Sequence, residues 1–226
     1  MATPEQQQQL VALTTMMFNA PPGATFLAEF EGYLDQGLSI EQIAINLSNT
    51  DAFNAQFDEL VTDKEKIDLV LSAAGIDESS AAYNEAYSFF EESLANGVSP
   101  GAAIQDAAEF LSTTEDEAFA QAAATFNNKV EVGVYHSVTL GLGGTDISGL
   151  KQVVANITQD PATVTQKIDQ LTAQADGGEE EGGTGGSIGP TFSVTEDAGT
   201  LQFDGTATGA LTFTLAADTV TAERQG

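Results

Sequence analysis

Apolar residues recur three and four positions apart through most of residues 1–175. That is the spacing of an amphipathic helix face, not the alternation of a strand. Start and stop signals divide the stretch into about eight or nine helices. Thr3 before Pro4 opens the first, to about residue 18, and Pro21-Pro22-Gly23 breaks it. Phe26, Leu27, Phe30, Tyr33 and Leu34 place a second helix over 24–36, with Gly37 as its stop. Ser39 with Gln42 forms a capping box, followed by Ile43, Ala44 and Leu47 on one face. Thr50 caps a short segment, and Thr62 with Glu65 is a second box whose helix ends at Gly75.

Ser79 or Ser80 then opens a long helix to about residue 96, stopped by Gly97. Ser99-Pro100 starts the next, to about 111. Thr114 with Glu117 makes a third box, and its helix extends to Leu140 before Gly141, Gly143 and Gly144 end it. Residues 146–157 and 160–175 supply the last two. A short internal repeat runs through this pattern. Phe30-Glu31, Leu34 and Gly37-Leu38-Ser39 return sixty residues on as Phe90-Glu91, Leu94 and Gly97-Val98-Ser99. The repeated content is a helix, a glycine stop, a serine cap and a second helix, as in a stacked helical array.

The periodicity ends abruptly. Residues 176–190 form an acidic, Gly-rich linker, with Glu179-Glu180-Glu181 as a solvating run. Residues 191–226 alternate apolar and polar positions over 191–195, 201–203 and 211–215, and 219–221 has the same character. So few residues make too little sheet to stand alone. The tail reads as the opening of a β-rich region, or as a small sheet that borrows edges from a partner. The fold class expected is therefore mainly α, followed by a small β-rich C-terminal segment.

Composition narrows the function. The chain has 34 acidic and 6 basic residues, a formal charge of −28. Six scattered bases cannot build a phosphate-binding footprint, which argues against nucleic acid. An anionic membrane surface is disfavoured unless a divalent cation bridges. There is no cysteine, so disulfides, thiolate metal sites and Cys nucleophiles are excluded. No apolar run reaches the ~18 residues of a membrane span. The N-terminus lacks the basic and apolar regions of a cleaved signal peptide.

Few residues offer chemistry. His136, the single histidine, adjoins Ser137, but on a helix the two point about 100° apart, and a catalytic reading needs an orienting acid as well. Glu115-Asp116-Glu117 lies at an expected helix start, where the dipole stabilises negative charge. These three are the calcium candidates, since hard cations want several oxygens. No EF-hand loop and no calcium nonapeptide repeat is present. Gly141-Leu142-Gly143-Gly144-Thr145-Asp146 lacks the lysine of a P-loop and follows a helix, so it reads as a glycine cap and turn. The phenylalanines, at helical spacing, read as core. The balance points to a structural or binding role, not an enzyme.

Several segments carry a resemblance. They are Asn128-Lys129-Val130-Glu131-Val132, Tyr135-His136-Ser137-Val138-Thr139, Asp160-Pro161-Ala162-Thr163-Val164, Phe18-Asn19-Ala20-Pro21-Pro22-Gly23 and Leu47-Ser48-Asn49-Thr50-Asp51-Ala52-Phe53. Together they resemble the N-terminal helical domain of secreted surface-layer and adhesin-type proteins of Gram-negative bacteria, including helical domains of the DUF4214 kind. The resemblance covers about residues 8–172. It implies a non-enzymatic protein exported by a type I system without a cleaved signal and placed at the cell surface. Its helical domain would anchor to lipopolysaccharide or assemble the layer, with calcium ordering the lattice and other copies of the chain as partners. The alternative is a subunit of an extracellular filament or matrix that assembles through its β tail.

Overall fold

Of the 226 residues, the computed structural model describes 2–176, 211–216 and 219–224. They fall in two compact units, one within 1–181 and one within 182–226. The expected linker from 177 onward and the expected strands at 191–195 and 201–203 lie outside the described residues.

The first unit is helical. Its elements are α1 (Pro4–Phe18), α2 (Gly23–Asp35), α3 (Ile40–Ser48), α4 (Asp51–Asn54), α5 (Asp63–Ala73), α6 (Tyr83–Ala95), α7 (Pro100–Thr113), α8 (Ala120–Val134), α9 (Ile147–Val154) and α10 (Pro161–Asp176). A 3-10 turn, Ala55–Phe57, follows α4, and a π-helical turn, Tyr135–Thr139, follows α8. Among the described residues there are thus ten α-helices where about eight or nine were expected, because the single turn α4 stands as its own element.

Side-chain caps fix most starts. Thr3, Ser39 and Thr62 each accept a hydrogen bond from the backbone N–H three residues on, and Gln6, Gln42 and Glu65 return the bond as full capping boxes. Ser99 accepts from Ala102 N at the start of α7. The box expected at Thr114 does not form. Thr114 N donates to Phe110 O and so closes α7 instead. Thr114 Oγ1 accepts from Asp116 N, and Asp116 Oδ1 accepts from Ala118 N. The next helix therefore begins at Ala120, and the single helix expected over 114–140 is a loop, α8 and a π turn.

Helix α1 lies at the centre. All nine residues from Leu10 to Phe18 are buried, the mark of a helix enclosed on every side. It packs against α2, α3, α5, α7 and α8. A second, smaller cluster joins Val132 of α8 to Val153 and Val154 of α9 and to Val164 and Leu171 of α10.

The repeat read in the sequence is a structural correspondence between two helical hairpins, α2–α3 and α6–α7. Gly37 (φ 92°) and Gly97 (φ 80°) are both left-handed. Leu38 N donates to Tyr33 O and Gly37 N to Leu34 O; Val98 N donates to Ser93 O and Gly97 N to Leu94 O. Both are Schellman endings, whose left-handed residue is favoured as glycine because it has no Cβ. The second helices of the two hairpins, α3 and α7, pack against each other.

In the second unit, β1 (Leu211–Ala216) pairs antiparallel with β2 (Thr219–Arg224), from Leu211 opposite Arg224 to Ala216 opposite Thr219.

Candidate functional site

Two cavities lie between the helices of the two hairpins. The first, of about 470 Å³, includes Phe26, Glu29, Phe30, Asn46, Leu47 and Thr50 in its lining. The second, of about 190 Å³, includes Ala86, Phe89, Phe90, Asp106, Ala107 and Phe110. Each residue of the second set stands sixty positions after its counterpart in the first. The two cavities therefore occupy equivalent places in the two hairpins.

Their walls differ in chemistry. In the first, Pro21, Pro22, Ile147 and Leu150 add apolar surface. Its carboxylate is engaged: Tyr33 Oη donates to Glu29 Oε1 at 2.6 Å, which raises the tyrosine pKa. In the second, Phe119 closes the inner side and Glu85 joins Asp106. Neither Glu85 nor Asp106 accepts a side-chain hydrogen bond from another described residue. Asp106 is exposed, but partial desolvation, with Glu41 and Glu109 nearby, raises its carboxyl pKa.

Phenylalanines expected in the core are there at Phe18, Phe30, Phe53, Phe90, Phe119 and Phe126. Phe89 and Phe110 are not, at 38% and 44% exposure. Both line the second cavity. Sequence spacing alone assigns them inward because each lies next to, or three to four positions from, a truly buried residue.

Of the residues expected to offer chemistry, His136 and Ser137, expected to point apart, are in contact because the segment is a π turn, while Glu115, Asp116 and Glu117 lie in a different segment. His136 is buried in the π turn, its Nδ1 3.3 Å from Ser137 Oγ. Burial pushes its imidazole down to about 4, so the ring is neutral at pH 7. Glu115, Asp116 and Glu117 sit in the loop between α7 and α8, all exposed, with the Asp116 carboxylate turned onto the Ala118 amide. No group of three or more His, Asp or Glu that could hold a metal ion occurs among the described residues. The segment 141–146 caps and turns: Leu142 N donates to His136 O, Leu142 O accepts from Ala24 N, and Asp146 accepts from Ser148 N and Gly149 N.

One buried charge escaped the sequence reading. Lys129 on α8 is 7% exposed. Its Nζ donates to Ala73 O at 2.7 Å and to Asn19 Oδ1 at 2.9 Å. Ala73 ends α5, and Asn19, at φ 51°, is the left-handed cap of α1. The ammonium thus meets the negative ends of two helix dipoles, and burial lowers its pKa to about 8. The sequence signal was a lysine between Phe126, Val130, Val132 and Gly133, an interruption of an apolar helix face.

Comparison of the chain with protein-family models, with curated proteins and with solved structures gives no match. No helix among the described residues is long and apolar enough to cross a membrane.

Proposed function

We propose that the chain is a non-enzymatic structural protein of the bacterial cell surface, of surface-layer or adhesin type. In this reading the helical unit anchors to a lipopolysaccharide-like envelope or assembles the layer, calcium bridges anion to anion, and export uses a type I route. The observation that carries it is that three of the six basic residues are committed within the helical unit. Lys129 is buried against two helix ends. Lys64 is held by Asp68 and Glu78, each at 2.7 Å, and Lys66 lies 3.7 Å from Asp63. With a formal charge of −28, such a protein presents carboxylates, and divalent cations are what would join it to an anionic envelope.

The test is co-sedimentation of the purified chain with Gram-negative outer membranes, in millimolar calcium and in chelator. Pelleting with membranes in calcium alone supports the reading. A monomer that stays soluble throughout overturns it.

A second reading rests on the hairpin. Among the described residues the ladder has two strands and neither outer edge meets a third, and an open edge pairs readily with another chain. Filament or matrix assembly through the β tail would then be the function, with further β structure in the tail. Deleting 191–226 should abolish polymers; polymers that survive the deletion would exclude this route.

A further inference from the structure

We propose that the cavity between α6 and α7 binds a small alkylammonium cation, a quaternary ammonium head group. The inference is independent of where the protein resides.

Four phenylalanines define the wall of the site, and two exposed acidic residues, Glu85 and Asp106, complete its lining. Phe90 and Phe119, each 4% exposed, form its inner wall, while Phe89 and Phe110 stand at its mouth. Each mouth ring meets an inner ring edge to face: Phe89 with Phe90 at 5.3 Å and 78°, and Phe110 with Phe119 at 4.9 Å and 84°. The lining thus offers ring surfaces in crossed orientations. The faces of aromatic rings are negative and attract cations, most strongly those that shed water easily, as alkylammonium groups do.

Charge selects in the same direction. Glu85 and Asp106 line the cavity, and Glu41 and Glu109 lie close enough to Asp106 to oppose its ionisation. No lysine lines it. An entering cation finds ring surfaces inside and the two exposed acidic residues, Glu85 and Asp106, beside them, whereas an anion is repelled and a neutral apolar molecule gains burial alone. The equivalent cavity of α2–α3 also has aromatic walls, but its carboxylate, Glu29, already accepts the Tyr33 hydroxyl. The smaller cavity is the one whose negative charge is unanswered. At about 190 Å³ it is below the ordinary range for drug-sized ligands, roughly 300–1,000 Å³, and suits a compact head group.

The probe is choline, titrated into the full chain by calorimetry and by NMR, with 3,3-dimethylbutan-1-ol as the neutral molecule of the same shape. Choline should bind saturably in the millimolar range, and the neutral analogue about fivefold more weakly. Asp106→Asn and Glu85→Gln should each weaken choline by about two- to fivefold without changing the circular dichroism, and Phe110→Leu should do the same. Glu29→Gln should leave binding unchanged. Absence of choline binding, equal affinity for the neutral analogue, or loss on Glu29→Gln but not on Asp106→Asn or Glu85→Gln would each overturn the proposal.

Discussion

The carbonyl oxygen of Ala44 occupies the place where a Cβ on residue 101 would stand. Residue 101 is glycine, and its missing side chain is what lets α7 cross α3 at backbone contact. The two helices at this crossing are the corresponding members of the two hairpins, so the close approach holds the repeat together. The obstructing atoms belong to backbone, which cannot rotate away.

Gly101→Ala should therefore push the hairpins apart. The expected loss is about 2–3 kcal/mol, or roughly 5–10 °C in Tm for a chain of this size. Gly32→Ala is the control. It sits inside α2 with nothing within 4 Å of its added carbon and no positive φ, so helix propensity should raise stability by up to about 1 kcal/mol. Thermal unfolding of both variants checks the contrast; equal effects would mean that the crossing is loose.

Thr15 is fully buried in α1, and its Oγ1 has no hydrogen-bond partner. Its neighbour Thr14 satisfies the same hydroxyl by donating to Leu10 O and Val11 O. A buried hydroxyl without a partner carries a desolvation cost with no return. Thr15→Val keeps the shape and removes the polar atom. Stability should rise by about 1 kcal/mol, read from denaturant midpoints at an unchanged m-value. Thr14→Val, by contrast, should not stabilise.

The helices that sequence located well are those whose ends are set by local chemistry. Thr3, Ser39, Thr62 and Ser99 all cap where their spacing to the next helix face predicts. Thr114 fails because its amide is already used by α7 and its hydroxyl by Asp116. Ser79 fails similarly: it donates through both N–H and Oγ to Asp77 Oδ1, and the helix waits until Tyr83. At Thr114 the backbone N–H of Asp116 takes the hydroxyl, and at Ser79 the Asp77 carboxylate does, and the periodic pattern cannot say which bond wins. The repeat was legible as a helix, glycine, serine and helix. That its two copies enclose equivalent cavities was not, because cavities depend on which faces meet. The exposure of Phe89 and Phe110 and the burial of Lys129 are tertiary facts of the same kind.

Lys129 makes stability depend on pH at the alkaline side. Its folded pKa, about 8, lies below the ordinary 10.5. Between these values the unfolded chain binds more protons than the folded one, so stability rises with pH across the window. The rise is roughly 3 kcal/mol at most. Lys129→Met should lack it, while contributions from other groups are shared and cancel in the difference. It should also be less stable at high pH, since Ala73 O and Asn19 Oδ1 lose their donor. Urea titrations of both proteins between pH 7.5 and 10.5 give the measurement; parallel curves would show that water reaches the ammonium.

His136 acts on the acid side. It is 6% exposed, within the π turn. Burial lowers its imidazole to about 4 from 6.5. Below pH 6.5 the unfolded chain takes up a proton that the folded chain refuses, so stability falls as pH drops from 6.5 to about 4, by roughly 3 kcal/mol from this group. Lowered carboxylates such as Glu65, bonded by Thr62, and Asp77, bonded by Ser79, act in the same sense at lower pH. A His136→Gln variant separates them, because only the histidine contribution should vanish from its acid slope. The single histidine also gives a single pair of imidazole signals by NMR. Their midpoint should lie near 4 in the folded protein and near 6.5 in urea. A folded midpoint at 6.5 would place the ring in water, and the packing of the π turn against α2 would then have to be open at that point.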